Sequence, residues 1–373
     1  MSDLRILVAG GGTGGHIIPA LAVAHELVLR HGAEVLFVGT ARGLEIRLVP
    51  EAGFRLRLIN VGPLKNVSLV TRLRTVMQLP LSILECRRII REFKPSAVLG
   101  VGGYASGPAM AAALWLRIPT MAFEPNAMPG LANRLVGKRV QAAAVNFPAA
   151  CTWFNNCEVT GIPVRPRFFS IKPPAGAAPN LLVFGGSQGA RILNLKVPSI
   201  APALLEGVPE LTILHQCGAR NVEATVAAYT ASGADPARWE VCPFFDDMPS
   251  RFAAARLVLA RSGASTVAEL AAAGKPALLV PFAAAADQHQ RRNAEAMVDA
   301  GAAVLLDERE LDDRTPGQPG KLLATLTSLL NNSARLDAMS TAARTQAHPG
   351  AAERIADRLA ALAVENPSPI PVG

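Results

Sequence analysis

The chain opens two of its segments in the same way. Residues 5–16, RILVAGGGTGGH, run from a short apolar stretch into a loop with five glycines between positions 10 and 15. Residues 181–194, LLVFGGSQGARILN, repeat the design. An apolar strand that turns through glycines into a helix is the first half of a βαβ unit, because only small residues let the chain reverse so tightly. A chain that restarts this pattern near its midpoint is expected to build two doubly wound α/β domains.

Other apolar runs fit the same plan. AEVLFVGT, AVLGVGG and PTMAFEPN follow in the first half, and LTILHQCG, WEVCPF, ARLVLARSG and PALLVPF in the second, with helical stretches between them. Such alternation predicts parallel sheets. Residues 162–180, IPVRPRFFSIKPPAGAAPN, are proline-rich and aperiodic, which reads as an interdomain linker. The expected domains are therefore 1–162 and 163–344. A terminal helix over about 345–365, containing AAERIADRLAALAVE, is expected to pack back on the first domain. Ligands are expected in a central cleft that faces the carboxyl ends of both sheets.

Half of the 373 residues are hydrophobic and 18% are charged, enough for two cores. The five cysteines, Cys86, Cys151, Cys157, Cys217 and Cys242, are odd in number and lack a C-x-x-C pair. They suit a reducing compartment and argue against a disulfide framework or a zinc site. Asp3, Arg5 and the glycines stand where a signal peptide needs an apolar run, and no stretch is apolar enough to predict a membrane span, so a cytoplasmic chain is expected. The net charge of +8 is one-sided: residues 1–150 hold 17 basic and 8 acidic side chains, whereas the remainder holds 20 and 21. An anionic partner is therefore expected in the first half, whether anionic lipid, a phosphate-bearing substrate or nucleic acid. Nucleic acid fits worst, because glycine loops dominate this half and the chain has only 2 Tyr and 3 Trp.

Three glycine loops, Gly10–Gly15, Gly100–Gly107 and Gly185–Gly189, each precede a helix, so their N–H groups and the helix dipole suit phosphate. A dinucleotide reading fails. Gly10, Gly12 and Gly15 can be set in a G-x-G-x-x-G frame, but the acid expected about 20 residues later, at the end of the second strand, is missing: LFVGTARG has no Asp or Glu until Glu45. No Walker Lys-Ser/Thr follows either. In residues 261–295, a strand ends at Arg261, Ser262–Thr266 turn into a helix, and Glu269 lies in its first turns. A carboxylate there can accept from a ribose diol, or it can simply stabilise a helix N-terminus. His289, in DQHQ, reads as a polar loop residue.

The segments GGTGGHIIPALAVA, GVGGYASGP, EPNAMPGLANR, GIPVR, GGSQGARILN and SGASTVAELAAAGKPALLVPF, ordered from residue 4 to about 360, closely resemble the MurG family within glycosyltransferase family 28. The resemblance implies a GT-B fold of two Rossmann-like domains. It implies UDP-GlcNAc held mainly by the C-terminal domain and a polyprenyl-pyrophosphate-linked MurNAc-pentapeptide acceptor held by the N-terminal one. By motif, Ser187 and Arg165 would lie at the UDP and Phe245 against uracil. Ala264, Ser265, Thr266, Val267, Ala268 and Glu269 would form the nucleotide-sugar motif, with Glu269 on the ribose and Gln290 at the sugar hydroxyls. Thr13, Gly14, Gly15, His16 and Asn126 would face the reacting sugars. Ala283–Ala286 and Pro125 depart from residues common in relatives.

The implied reaction is an inverting transfer of GlcNAc to the MurNAc 4-hydroxyl, lipid I to lipid II of peptidoglycan synthesis, at the cytoplasmic face of the membrane. One in-line displacement needs a base and a stabilised diphosphate, not a protein nucleophile. His16 is the first candidate base, or else a residue that positions its loop; Glu124 is the second. There is no Asp-x-Asp, and Asp246 and Asp247 are adjacent, so neither a metal nor a cofactor is expected. Residues 63–94 carry seven basic and two acidic side chains among Val, Leu, Ile and Met. With Trp115, Arg117, Lys138 and Arg139 they suit a peripheral membrane face, or core-facing helices with a solvated cationic side. The rivals are another GT-B UDP-sugar enzyme, a UDP-GlcNAc 2-epimerase, and a non-catalytic nucleotide-sugar-binding subunit.

Overall fold

The computed structural model describes residues 4–62, 68–172, 179–285, 288–312 and 320–369. They form two compact units: residues up to Pro163 together with those from Gly350 onward, and Val164–Pro349.

The first unit holds a seven-stranded parallel sheet. Its strands are β1 (Arg5–Ala9), β2 (Glu34–Gly39), β3 (Arg55–Leu58), β4 (Ala97–Gly100), β5 (Thr120–Glu124), β6 (Ala142–Val145) and β7 (Cys157–Val159), in the order β3-β2-β1-β4-β5-β6-β7. The second unit holds β8 (Asn180–Phe184), β9 (Thr212–Gln216), β10 (Trp239–Cys242), β11 (Leu257–Ala260), β12 (Ala277–Leu279) and β13 (Ala303–Leu305), in the order β10-β9-β8-β11-β12-β13. Strands covered by helices on both faces read as unbroken apolar runs, and the last four residues of β1 and all of β4 and β11 are buried. Strand order reverses between β1 and β4, and again between β8 and β11. The loops that leave these four strands are the glycine-bearing ones, at the switch points where parallel sheets bind ligands. The edge strands β3 and β7 are short and partly exposed, too weakly apolar to stand out in the sequence.

The helix Ala351–Glu365 buries Ile355, Leu359 and Leu362 at helical spacing and lies along the helix Gly14–His31. Asp357 accepts from Arg30 at 2.7 Å and pairs with His31 at 2.8 Å. Two readings are corrected. The proline-rich stretch is not all linker: Pro166–Phe169 form a short helix of the second unit, whose buried Phe168 meets Phe252 edge-on at 5.2 Å. Residues 173–178 lie outside the described part. The cysteines are not all free either: Cys151 and Cys157 are joined by a disulfide. The 3-10 turn Pro148–Trp153 folds back into β7 and sets their Cα atoms 5.4 Å apart, which spacing alone did not reveal.

Beneath the second sheet's first loop lies a buried His215, its Nδ1 3.1 Å from Tyr229 Oη and its Nε2 3.1 Å from Asn194 Oδ1. Burial pushes this imidazole down to about 3, so it stays neutral. With a folded value below the ordinary one, its contribution to stability is complete above pH 6.5 and declines as the pH falls toward 3. Between pH 6.5 and 5 the decline should amount to about 2 kcal/mol. Denaturation midpoints of wild type and His215→Gln across this range should show a shallower loss in the variant.

Candidate active site

In the first unit the loops after β1 and β4 meet backbone to backbone. Gly11 N donates to Gly102 O at 3.3 Å. A Cβ at Gly10 would fall 2.3 Å from that same oxygen, and one at Gly103 2.3 Å from Gly11 O. These glycines are therefore dictated by contact between two parts of the chain. Thr13 stands in extended conformation at the head of the helix Gly14–His31, and its carbonyl accepts from His16 N and Ile17 N. Its Oγ1 is 3.0 Å from His16 Nδ1. The imidazole rests against Gly102, where a Cβ would be 2.9 Å from Cδ2 and 3.0 Å from Nε2. Thr13, Gly14, Gly15 and His16 thus share one helix start beside the β4 loop.

Glu124 ends β5 and is fully buried. It accepts from Asn126 N at 2.9 Å, Asn126 Nδ2 at 3.2 Å, Gly130 N at 2.9 Å and Asn133 Nδ2 at 3.0 Å. Desolvation raises its carboxyl above the usual range, and these four bonds oppose the rise. Both oxygens are engaged in holding the turn that carries Asn126.

In the second unit, Gly185–Gly189 lead into the helix Arg191–Gly207, with Ser187 exposed at the tip. Gly189 has φ +72°, and a Cβ there would strike Cys217 O at 1.8 Å. Gln216, at the end of β9 and buried, donates from Nε2 to Gly186 O at 3.1 Å and accepts at Oε1 from Phe245 N at 3.0 Å. One side chain therefore fixes the loop and the Phe245 segment together. Phe245 is buried with the Arg251 guanidinium 5.0 Å from its ring centre, while Phe244 is exposed.

After β11 the helix Ala264–Ala273 starts from an extended Gly263. Ala264, Val267 and Ala268 are buried, and Ser265, Thr266 and Glu269 are half-buried on the other side. Desolvation lifts the Glu269 carboxyl to about 7, and the charge of Arg165 pulls against it. Gln290 is held by its own ends: Oε1 accepts from Phe282 N at 2.9 Å, and its carbonyl accepts from Ser262 Oγ at 2.7 Å. His289 and Gln290 begin the helix His289–Asp299, which corrects the loop reading; Asp287 lies outside the described residues. Arg261 donates to Val280 O and Pro281 O, both at 3.0 Å, and pairs with Glu308.

An open cavity of about 490 Å³ is lined by Gly185, Gly189, Arg191, Arg261, Phe282, Gln290 and Glu308, within the usual range for small ligands. Gln290 and the glycine loop so line one cavity, and the charge of Arg165 reaches Glu269. Among the described residues no group of three or more His, Cys, Asp or Glu side chains could hold a metal ion. Gln216 escaped the sequence reading. The signal was present, as a His-Gln pair ending the otherwise apolar strand in LTILHQCG.

Comparison with known proteins matches these two units separately. The Glycosyltransferase family 28 N-terminal domain matches residues 6–145, and the Glycosyltransferase family 28 C-terminal domain matches residues 180–355. The chain is 46% identical to the UDP-N-acetylglucosamine--N-acetylmuramyl-(pentapeptide) pyrophosphoryl-undecaprenol N-acetylglucosamine transferase of Anaeromyxobacter dehalogenans, over 95% of this chain and 92% of that one. It is also 46% identical to the protein of the same name from Solibacter usitatus, over 96% of each. The crystal structure of Acinetobacter baumannii MurG superposes with TM-score 0.78 at 31% identity, covering 96% of this chain and 99% of that one. A putative UDP-N-acetylglucosamine 2-epimerase from Listeria monocytogenes, at TM-score 0.67 and 14% identity, shares the fold alone. The chain, with its two GT-B-type α/β domains, belongs to glycosyltransferase family 28.

Proposed function

We propose that the chain transfers GlcNAc from UDP-GlcNAc to the MurNAc 4-hydroxyl of undecaprenyl-pyrophosphoryl-MurNAc-pentapeptide, inverting the anomeric centre. The names of relatives 42 to 46% identical support this reading. The observation that carries it is the donor-side constellation. A glycine loop at the head of a 17-residue helix is tied through Gln216 to Phe245, and a half-buried Glu269 is within reach of the Arg165 charge.

Each part has a task in a single displacement. N–H groups of the Gly185–Gly189 loop and the helix dipole behind them take up charge on the departing diphosphate, with Ser187 and Arg165. Phe245 lies along the base, Glu269 accepts from the ribose diol, and Gln290 meets the sugar. On the acceptor side, Thr13, Gly14, Gly15 and Asn126 orient the hydroxyl. His16 removes its proton: Thr13 Oγ1 lies 3.0 Å from Nδ1, and in the tautomer that donates Nδ1–H to it the lone pair is on Nε2, as a base requires. Glu124 holds the Asn126 turn and leaves the proton transfer to His16.

The helix Leu69–Phe93 supports a peripheral membrane role. Leu73, Val76, Met77, Leu81 and Leu84 recur at three- and four-residue spacing and are 48 to 71% exposed. The same face continues into Arg87, Arg88 and Arg91, and the Arg87 guanidinium lies 4.5 Å from the exposed Trp115 ring. The opposite face packs into the core through Cys86, Ile89, Ile90 and Phe93. An apolar stripe bordered by cations suits docking on an anionic leaflet, here the cytoplasmic face. Among the described residues no helix is long and apolar enough to cross a membrane.

UDP release from UDP-GlcNAc should require the lipid acceptor, and release without it would favour the epimerase reading. His16→Ala should lower kcat at least about 100-fold with donor affinity unchanged; near-normal turnover would remove His16 from the chemistry. Because only the ionised Glu269 can accept at both oxygens from the two ribose hydroxyls, the donor KM should rise as the pH falls from 8 through 7, and Glu269→Gln should weaken binding at pH 8 and flatten this dependence. Sedimentation with vesicles should show binding to anionic lipid that fades with salt and is lost in Met77→Glu/Leu81→Glu. Equal binding to neutral vesicles would defeat the electrostatic part.

A further inference from the structure

Three glycines near the first loop make room for a side chain of the protein itself. A Cβ at Gly11 would lie 2.5 to 2.7 Å from the carboxyl atoms of Glu45, one at Gly39 2.6 Å from its Cγ, and one at Gly43 1.9 Å from its Oε2. The carboxylate is 1% exposed. Its Oε2 accepts from Gly12 N at 2.7 Å, and its Oε1 accepts from Thr40 N and Thr40 Oγ1, each at 3.0 Å. Leu44 N adds a bond to Gly12 O at 3.3 Å. The Gly12 amide, which a phosphate-gripping loop would turn outward, is turned inward to an internal acceptor.

We propose that Glu45 is a positioning residue for the transfer reaction. It clamps the end of β2 to Gly11–Gly12, and so fixes from below the loop whose next residues, Thr13–His16, deliver the base to the acceptor hydroxyl. This rests on the transferase reading above and on His16 as the base. Gly12 joins directly to Thr13, whose carbonyl and hydroxyl hold His16. Loosening the clamp therefore moves the imidazole without touching any residue of the second unit. Displacing a reacting group by about 1 Å can lower turnover on the order of 100-fold.

The test uses the full chain and compares Glu45→Gln with Thr40→Val, which removes a single donor and keeps the carboxylate. Glu45→Gln retains the shape but sets an amide N–H against a donor. It should lower kcat about tenfold or more, while UDP affinity, measured by calorimetry, and the donor KM stay at wild-type values. Thr40→Val should show a smaller kcat loss with the same unchanged donor terms. Wild-type kcat in Glu45→Gln overturns the proposal, as does a parallel loss of kcat and UDP binding, which would mark a general structural role. Failure of the transferase reading is distinguishable, since wild type itself would then release no acceptor-dependent UDP.

Discussion

Both sheets end in loops that meet backbone to backbone. Gly11 N reaches Gly102 O, and Gly103 sits where a Cβ would strike Gly11 O. In the second unit Gly189 lies against Cys217 O, and Gly218 against Gln188 O. A side chain at any of these positions would force the loops apart by the width of a methyl group. Without side chains, the loops after β1 and β4 close up at the first sheet's switch point and those after β8 and β9 close up beside the second's, and the helices that follow begin with their N-termini at the carboxyl ends of the strands.

Loops this rich in glycine lose much conformational entropy on ordering, and buried polar side chains hold them. Glu45 secures Gly12 and Thr40, Glu124 secures the turn of Asn126 and Gly130, and Gln216 secures Gly186 and the Phe245 segment. Glu269 differs. Glu124 is desolvated too, but four donors oppose the rise, whereas the opposing influence on Glu269 is the charge of Arg165. Glu45 and Glu124 thus serve to hold loops of the fold.

Apolar runs, glycine loops and the closing helix carry their meaning locally, and β1, β2, β4, β5 and β8 to β12 were all visible as runs. The helix Ala351–Glu365 coincides with the segment picked out by its pattern. Partners across the fold were not visible. Glu45 served in the sequence only as an acid arriving too late for a dinucleotide fingerprint, because its importance lies in Gly11, Gly39 and Gly43 folding round it. The four donors around Glu124 were equally invisible, because a turn and a helix brought to it by the fold supply them. The Cys151–Cys157 bridge depends on a turn whose path no spacing rule dictates. The strands β6 and β13 are three or four small or aliphatic residues long, below the length at which a run separates from a buried helix.

Part of the excess positive charge of the first 150 residues lies in the helix Leu69–Phe93, which holds five of the 17 basic and two of the 8 acidic side chains. A helix that only needed to cover its sheet could place polar residues on the far side, as the helix Ala351–Glu365 does with Glu353 and Arg358. This one places Leu73, Met77, Leu81 and Leu84 there, and then arginines on the same line. Apolar groups left in water at regular helical intervals add nothing to the fold, and each that enters an acyl boundary adds about 25 cal/mol per Å² of area removed from water. The arginines would add roughly 1 kcal/mol each near an anionic surface. Neither contribution alone holds a protein at a bilayer for long. Their alignment on one face would let both act at once, so that the stripe and its arginines count together where either alone would not.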